Sequence, residues 1–334
     1  LYLWHHPILA FKIIANQENN FLLNNFFLII IIFILSTLTF LIIEKPFRNR
    51  NLISKNFFIL ILFFTIIFLG SFFSFALYKN GLPERFPKVL QYVDERPYDI
   101  SKENFKICFQ RKKNFCGSSS KIEKSVFLIG DSQVASFSHF LSKDLKKINY
   151  NLINLTFGNG CYYAVDFDLD GFCDSKSQSV RKSEIYKKPG SIVILGYTSA
   201  FANEKHKLKA LSSINNLLEN GFKVFIVYPY TTYKDNISTL LKKTYFKDRK
   251  FFEKNIPIIS KSFSDHNDLF RDTIEFLDNI NHKNLIKIHQ TNLVCDDNLN
   301  FKCIFNDKNN MYTVDRSHPS SYIAELLSQK IFKQ

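Results

Sequence analysis

Two long apolar runs constrain this chain more than anything else in it. Phe21 to Ile43 is almost wholly Phe, Ile and Leu, and its strongly polar residues, Asn24 and Asn25, stand near its start. Phe57 to Tyr78 is a second such run. At a rise of about 1.5 Å per residue, each is long enough to cross a hydrocarbon core of about 30 Å. A buried helix of a water-soluble protein rarely runs so far without a charge, so both are expected to span a membrane. Neither reads as a cleavable signal peptide, being too long and lacking a small-residue cleavage site.

Charge orients the spans. The segment from Glu44 to Lys55 carries Lys45, Arg48, Arg50 and Lys55 against Glu44 alone, and the positive-inside rule places it in the cytoplasm. The second span then delivers everything after Tyr78 to the opposite side. Cysteine usage leads independently to the same side. Cys108, Cys116, Cys161, Cys173, Cys295 and Cys303 all lie beyond the second span. Six cysteines allow about 15 pairings. These fall as three local pairs, 108/116, 161/173 and 295/303, each closing a short polar loop, and disulfides are expected there in an oxidising compartment. A metal site is the rival reading. The spacings are not those of a zinc site and no histidine accompanies them, so no metal is expected.

The formal net charge of +14 raises the question of nucleic acid. The lysines are scattered, arginine is scarce, and no zinc spacing or nucleic-acid-binding motif is present, so no nucleic-acid partner is expected. Diffuse basicity of this kind belongs to solvated faces beside an anionic membrane or polysaccharide. Ahead of the first span, Tyr2 and Trp4 suit a membrane interface. His5 and His6 beside them are as readily structural as functional.

Residues 81–125, with Gly81, Pro83, Pro87 and Pro97, read as an exported linker, and 126–334 as a domain in which strand and helix patterns alternate. Strands are predicted at Val126–Ile129, Asn151–Thr156, Ser191–Leu195, Lys223–Tyr228 and Leu285–His289. Helices are predicted at Lys205–Leu218, Asp268–Ile280 and Tyr322–Phe332. Such alternation predicts an α/β fold, a parallel sheet covered by helices on both faces. Gly130-Asp131-Ser132 ends the first strand, and Val134, Phe137, Phe140 and Leu141 follow at helical spacing. A serine there stands at the carboxyl end of a strand, where the amides of the next helix face a developing negative charge. Taken alone the tripeptide is ordinary turn chemistry. Near the end, Asp315 and His318 stand three apart just before a helix. His318 is placed to take a proton from Ser132, and Asp315 to hold the imidazole tautomer. An isolated Asp-x-x-His is more often a helix cap; the three together favour catalysis, with Asp131 read as holding the turn.

The front of the chain resembles the closing helices of membrane acyltransferase family 3, which includes O-antigen and exopolysaccharide O-acetylases. Leu1 to Leu9 reads Leu-Tyr-Leu-Trp-His-His-Pro-Ile-Leu, and Ile43 to Arg48 reads Ile-Glu-Lys-Pro-Phe-Arg. The family's Tyr-Leu-Trp-His-x-Pro and Glu-Lys-Pro-hydrophobic-Arg runs have nearly this spacing. Its acyl-handling arginine and histidine lie on earlier helices. Residues 1–80 are therefore expected to be the end of a longer, here truncated, membrane domain.

Gly130-Asp131-Ser132 and Asp315-x-x-His318 resemble the first and last blocks of the SGNH hydrolase superfamily, a flavodoxin-like three-layer fold. The resemblance implies Ser132 as nucleophile, His318 as general base and Asp315 as its partner. The loop from Cys295 to Cys303, the run Met311 to His318, and Gly160-Cys161 resemble more specifically the SGNH domains fused behind family-3 acyltransferases. The superfamily's oxyanion hole adds a glycine amide and an asparagine amide to that of the nucleophile. Here Ser132 is joined by Gly158 or Gly160, between which the sequence does not choose. Gly196-Tyr-Thr-Ser199 stands where Gly-x-Asn is expected, and Asn203 comes a few residues late.

Together the resemblances imply an O-acyltransferase that moves an acyl group, acetyl by preference, onto sugar hydroxyls of a bacterial surface glycan such as lipopolysaccharide O-antigen or exopolysaccharide. They imply no bound cofactor, with acetyl-CoA as donor through the membrane portion outside this chain. The implied partners are the bilayer, the polysaccharide acceptor and that membrane portion. The implied location is multi-pass in the bacterial inner membrane with a periplasmic or extracellular SGNH domain. A membrane-tethered glycan esterase and a non-catalytic glycan-presenting domain are the alternatives.

Overall fold

A strand covered on both faces has no solvent side, so its sequence is an unbroken apolar run rather than an alternation. Ser-Val-Phe-Leu-Ile and Ile-Val-Ile-Leu-Gly are such runs, and in the computed structural model they lie side by side at the centre of a parallel sheet. The structure describes residues 2–15, 24–49, 53–91, 100–158, 160–165, 173–199, 201, 203–296 and 301–333. Leu1, the start of the first predicted span at 21–23, Arg50 and Pro97 lie outside them. The chain divides into two units, residues 1–91 with 240–257, and residues 92–239 with 258–334.

In the first unit, α1 (Tyr2–Ala15) is tied to the next helix by the Trp4 indole, which donates to Thr39 Oγ1 at 2.8 Å. That helix, α2 (Asn25–Thr39), runs on through a π-helical turn at Phe40–Glu44 into α3 (Lys45–Arg48). A fourth, α4, covers Lys55–Tyr78. Asn24 and Ser54 cap α2 and α4 by accepting from the amides of Phe26 and Phe57. The stretches Asn25–Arg48 and Lys55–Tyr78 are each 24 residues long and apolar enough to cross a membrane. No residue of α4 is buried.

The second unit opens with a short hairpin, β1 (Lys102–Glu103) and β2 (Lys106–Ile107). Next come β3 (Ser125–Ile129), α5 (Ser132–Ala135), α6 (Ser138–Lys147), β4 (Asn151–Asn154), α7 (Ser175–Tyr186) and β5 (Ile192–Gly196). They are followed by α8 (Glu204–Glu219), β6 (Lys223–Val227), α9 (Ile237–Lys247) and α10 (Arg249–Lys254), of which residues 240–257 are assigned to the first unit. The chain closes with β7 (Ser260–Ser262), α11 (Phe263–Asp278), β8 (Leu285–Ile288), β9 (Cys295–Asp296), β10 (Lys302–Ile304) and α12 (Ser321–Phe332). The main sheet has the order β4-β3-β5-β6-β8, every pair parallel.

Successive residues of a strand face opposite sides, and here each side has its own core. Phe127, Ile129, Val193, Leu195, Val224 and Ile226 pack with Ile185 of α7, Ile214 of α8 and Leu277 of α11. Val126, Leu128, Ile194, Phe225 and Val227 pack with Leu141 of α6 and Leu327 of α12. The domain is therefore a three-layer α/β sandwich.

The structure departs from the sequence expectation in several places. The helix expected after Ser132 is two helices, broken at Ser136 and Phe137, where the hydroxyls of Ser136 and Ser138 bind the carbonyls of Ser132 and Ala135. Helices α7, α9 and α10 were not anticipated, nor was a small antiparallel sheet of order β7-β10-β9. Within the stretch read as a linker, Cys116 and Gly117 are bonded to the edge strand β4. The amide of Asn154 donates to Cys116 O, and the Asn151 side chain to Gly117 O. The cysteines pair as 108–116, 161–173 and 295–303.

Candidate active site

Ser132 owes its place to a turn that only glycine permits. Gly130 ends β3 at φ +157°, and a Cβ there would stand 2.7 Å from Val134 Cγ2. Gly196, at the end of the neighbouring β5, leaves still less room: a Cβ would meet the same methyl at 1.9 Å. The two glycines thus form a notch in which Val134, fully buried, seats the first turn of α5. Asp131 caps that turn. Its Oδ1 accepts from the Gln133 amide at 3.0 Å and its Oδ2 from Thr198 Oγ1 at 2.5 Å and Ser199 Oγ at 3.4 Å. Ser132 is consequently the first residue of a helix, where a backbone N–H has no intrahelical acceptor and faces outward.

Asp315 and His318 are presented by a tight loop closed at both ends. Thr313 bridges Pro319, the Val314 amide donates to His318 O, and the Ser320 amide donates to Tyr312 O. The amides of Ser317 and His318 both donate to Asp315 Oδ1 at 2.9 Å. His318 Nδ1 stands 2.7 Å from Asp315 Oδ2, and its Nε2 stands 2.6 Å from Ser132 Oγ. Residues 186 positions apart are thus joined through one imidazole.

The protonation pattern follows from the partners. Burial disfavours the charged Asp315, but the hydrogen bond from His318 and the two amides outweigh it and hold the carboxyl at about 2. An ionised carboxylate only accepts, so Nδ1 carries the imidazole proton and the Nε2 lone pair faces the Ser132 hydroxyl. That tautomer allows Ser132 Oγ to lose its proton as it attacks an electrophile.

The two glycines named for the oxyanion hole have different neighbours. Gly160, at φ +66°, is pressed against Ser199, whose Oγ would be 2.8 Å from a Cβ; this places it beside the Asp131 network. Gly158 lies against the Gln110 side chain of the disulfide-closed segment. The Asn203 side chain caps α8, its Oδ1 accepting from the His206 amide at 3.1 Å. In place of Gly-x-Asn, Gly196 makes room for Val134 while Thr198 and Ser199 hold Asp131.

Arg181 was missed in the sequence. It is fully buried on α7 and donates to four backbone carbonyls and to the Gln178 side chain. Nε donates to Leu155 O at 3.0 Å, Nη1 to Tyr162 O at 3.2 Å, and Nη2 to Gly130 O and Cys161 O at 3.4 Å. Its guanidinium lies 4.6 Å from the Phe157 ring centroid. Burial pulls it down to about 9 against the opposing influence of Tyr163, Tyr197 and Asp131, and it remains a cation at neutral pH. The signal available was the spacing of Gln178, Arg181 and Ile185, which puts a charged residue on the helix face that carries the apolar one.

A parallel α/β sandwich with a serine at a strand end, and a histidine–aspartate pair reaching it from the last loop, defines a serine-hydrolase-type domain. Residues 98–333 match the model of the family described as the SGNH domain fused to AT3 domains, and the chain belongs to that family. Among solved structures, it is similar to the periplasmic domain of a lipopolysaccharide acetyltransferase of Salmonella ser. Paratyphi A. The identity is 17%, the TM-score is 0.49, and the similarity covers 69% of this chain and 91% of that one. An acetyl xylan esterase is similar at 15% identity and a TM-score of 0.35, over 63% of this chain and 98% of the other. No curated protein matches it.

Proposed function

We propose that the SGNH domain performs serine-dependent acyl transfer, moving an acetyl group onto a sugar hydroxyl of a bacterial surface glycan such as lipopolysaccharide O-antigen or exopolysaccharide. The observation that carries this reading is the continuous relay Ser132 Oγ, His318 Nε2, His318 Nδ1, Asp315 Oδ2, with both links under 3 Å.

Ser132 Oγ attacks the acyl carbonyl of the donor and passes its proton to His318 Nε2. The amide of Ser132, with that of Gly158 or Gly160, faces the oxyanion that forms. Collapse expels the donor's leaving group, which takes the proton from Nε2, and leaves an ester on Ser132. A sugar hydroxyl then gives its proton to Nε2 and attacks that ester; the second collapse returns the proton to Ser132. Asp315 stabilises the imidazolium formed in each half.

Because the family is described by its fusion to AT3 domains, the source of acyl groups in this proposal is a membrane acyltransferase portion, and the proposed cytoplasmic donor is acetyl-CoA. Three disulfides and the cationic segment between the apolar helices support an SGNH domain that faces the periplasm or cell exterior, and the placement we propose for the whole is multi-pass in the inner membrane.

The test uses the membrane-embedded chain, an aryl acetate and a sugar acceptor. A serine-directed phosphonate is expected to label Ser132. Ser132→Ala is expected to abolish the label and lower aryl acetate turnover by about three orders of magnitude or more. Acetyl-sugar is expected to form at the expense of free acetate. Wild-type turnover by Ser132→Ala would overturn the proposal, and free acetate alone would identify an esterase.

A further inference from the structure

Arg181 is a cation in a place where a cation is expensive. Among the described residues it makes no ion pair, and its acceptors are the neutral carbonyls of Gly130, Leu155, Cys161 and Tyr162 with the Gln178 side chain. Taking a guanidinium out of water without a carboxylate in contact costs several kcal/mol, and an apolar side chain at such a position is commonly as stable or more so.

Its acceptors are not scattered. Gly130 lies two residues before Ser132, on the strand-end turn. Leu155, Cys161 and Tyr162 bracket the segment that contains Gly158 and Gly160. A single rigid fork therefore joins the nucleophile's turn to the segment that would supply the second oxyanion donor. The guanidinium is planar and delocalised, so two parts of the backbone held by it are fixed in angle as well as distance. Oxyanion stabilisation depends on such fixing, because a donor displaced by about 1 Å forfeits much of its effect.

We infer that Arg181 is a positioning residue for acyl transfer, clamping the Gly130 turn to the 155–162 segment so that the oxyanion donors stand in register with Ser132. This rests on the reading of Ser132 as nucleophile, and the test separates the two.

The full chain in detergent micelles is assayed with an aryl acetate and a serine-directed phosphonate as wild type, Arg181→Met, Arg181→Lys and Ile185→Ala. Ile185 is buried one turn along the same helix and serves as a control for lost packing. Arg181→Met is expected to lower kcat by about ten- to a hundredfold with KM within about twofold, and to slow phosphonate labelling of Ser132 in parallel. Arg181→Lys, which keeps the charge but not the fork, is expected to recover part of this, to within about tenfold of wild type. Ile185→Ala is expected to lower the melting temperature while leaving kcat of the folded protein within about twofold.

A folded Arg181→Met enzyme with wild-type kcat would overturn the inference, as would an equal loss of kcat in Ile185→Ala. If Arg181→Met does not fold, Arg181→Lys decides: lowered kcat at unchanged KM supports the clamp, and wild-type kcat overturns it. A wild-type chain that neither turns over the acetate nor takes the phosphonate would bring down the acyl-transfer reading itself, an outcome distinct from any of these.

Discussion

His266 is only 2% exposed, stacked on Phe263 and close to Phe270, with Nδ1 lacking a partner among the described residues. Burial, aided by Lys261, lowers it to about 4. Between pH 6.5 and about 4 the unfolded chain therefore binds the extra proton and the folded chain does not. The stability involved is complete above 6.5 and is lost as pH falls to 4, by about 2–3 kcal/mol. Asp315 acts in a lower window. Held at about 2, it contributes stability above the ordinary carboxylate value of 3.8 that disappears as pH falls toward 2. Because its side chain is 35% exposed, solvent screening limits this to about 1 kcal/mol. Denaturant unfolding across pH is expected to show both descents, with His266→Phe shrinking the upper, to which the lowered His139 and His289 also contribute, and Asp315→Asn shrinking the lower, which Asp144, Asp174 and Asp307 share. An upper descent of unchanged size in His266→Phe would refute the assignment. The catalytic candidates themselves were legible because each sits in a short local pattern: Gly130-Asp131-Ser132 at a strand end, and Asp315-x-x-His318 before a helix. Arg181 was not, because its partners are backbone carbonyls, which leave no trace in residue identity.

At the scale of elements, the junction between β3, β5 and α5 depends on two glycines whose missing side chains admit Val134. Gly196→Ala is expected to destabilise the domain by about 2–3 kcal/mol, since its methyl would occupy the space of Val134 Cγ2 and that side chain is packed on all sides. Turnover is expected to fall as well, because α5 carries Ser132 as its first residue. Adding Val134→Ala should recover part of both losses, so the melting temperature of the double variant lies above that of Gly196→Ala. Simple addition of two losses would show that the glycine and the valine do not share that space. The same elements explain what could be read beforehand. The three central strands β3, β5 and β6 announce themselves as apolar runs because the sheet is covered on both faces. Helix α7 did not, since Ser177, Gln178 and Arg181 occupy buried positions that a periodicity reading expects to be apolar. The sheet β7-β10-β9 has strands of only two or three residues, and β7 pairs with β10 across a long stretch of sequence, neither of which leaves a local signature. The break between α5 and α6 was hidden because Val134, Phe137 and Leu141 keep helical spacing across it.

For the whole molecule, the cationic segment between the apolar helices and the disulfides beyond them make a joint claim about sidedness that one experiment can address. All six cysteines are in disulfides, so a single introduced cysteine is the only free thiol. Lys55 lies at the start of α4 in the cationic segment and Lys121 just before β3, and both are exposed. In intact spheroplasts expressing the chain, a membrane-impermeant maleimide is expected to label Lys121→Cys and to leave Lys55→Cys unlabelled until the membrane is broken. The positive-inside rule supplies the sign, since cytoplasmic loops of this length hold an excess of Lys and Arg. Disulfide formation supplies the same sign from a different property, because reducing cytoplasm would keep those thiols free. Labelling of Lys55→Cys in intact spheroplasts would reverse the orientation and place Ser132 in the cytoplasm. Acyl transfer to a surface glycan would then lose its geometry, whatever the relay through His318 could do.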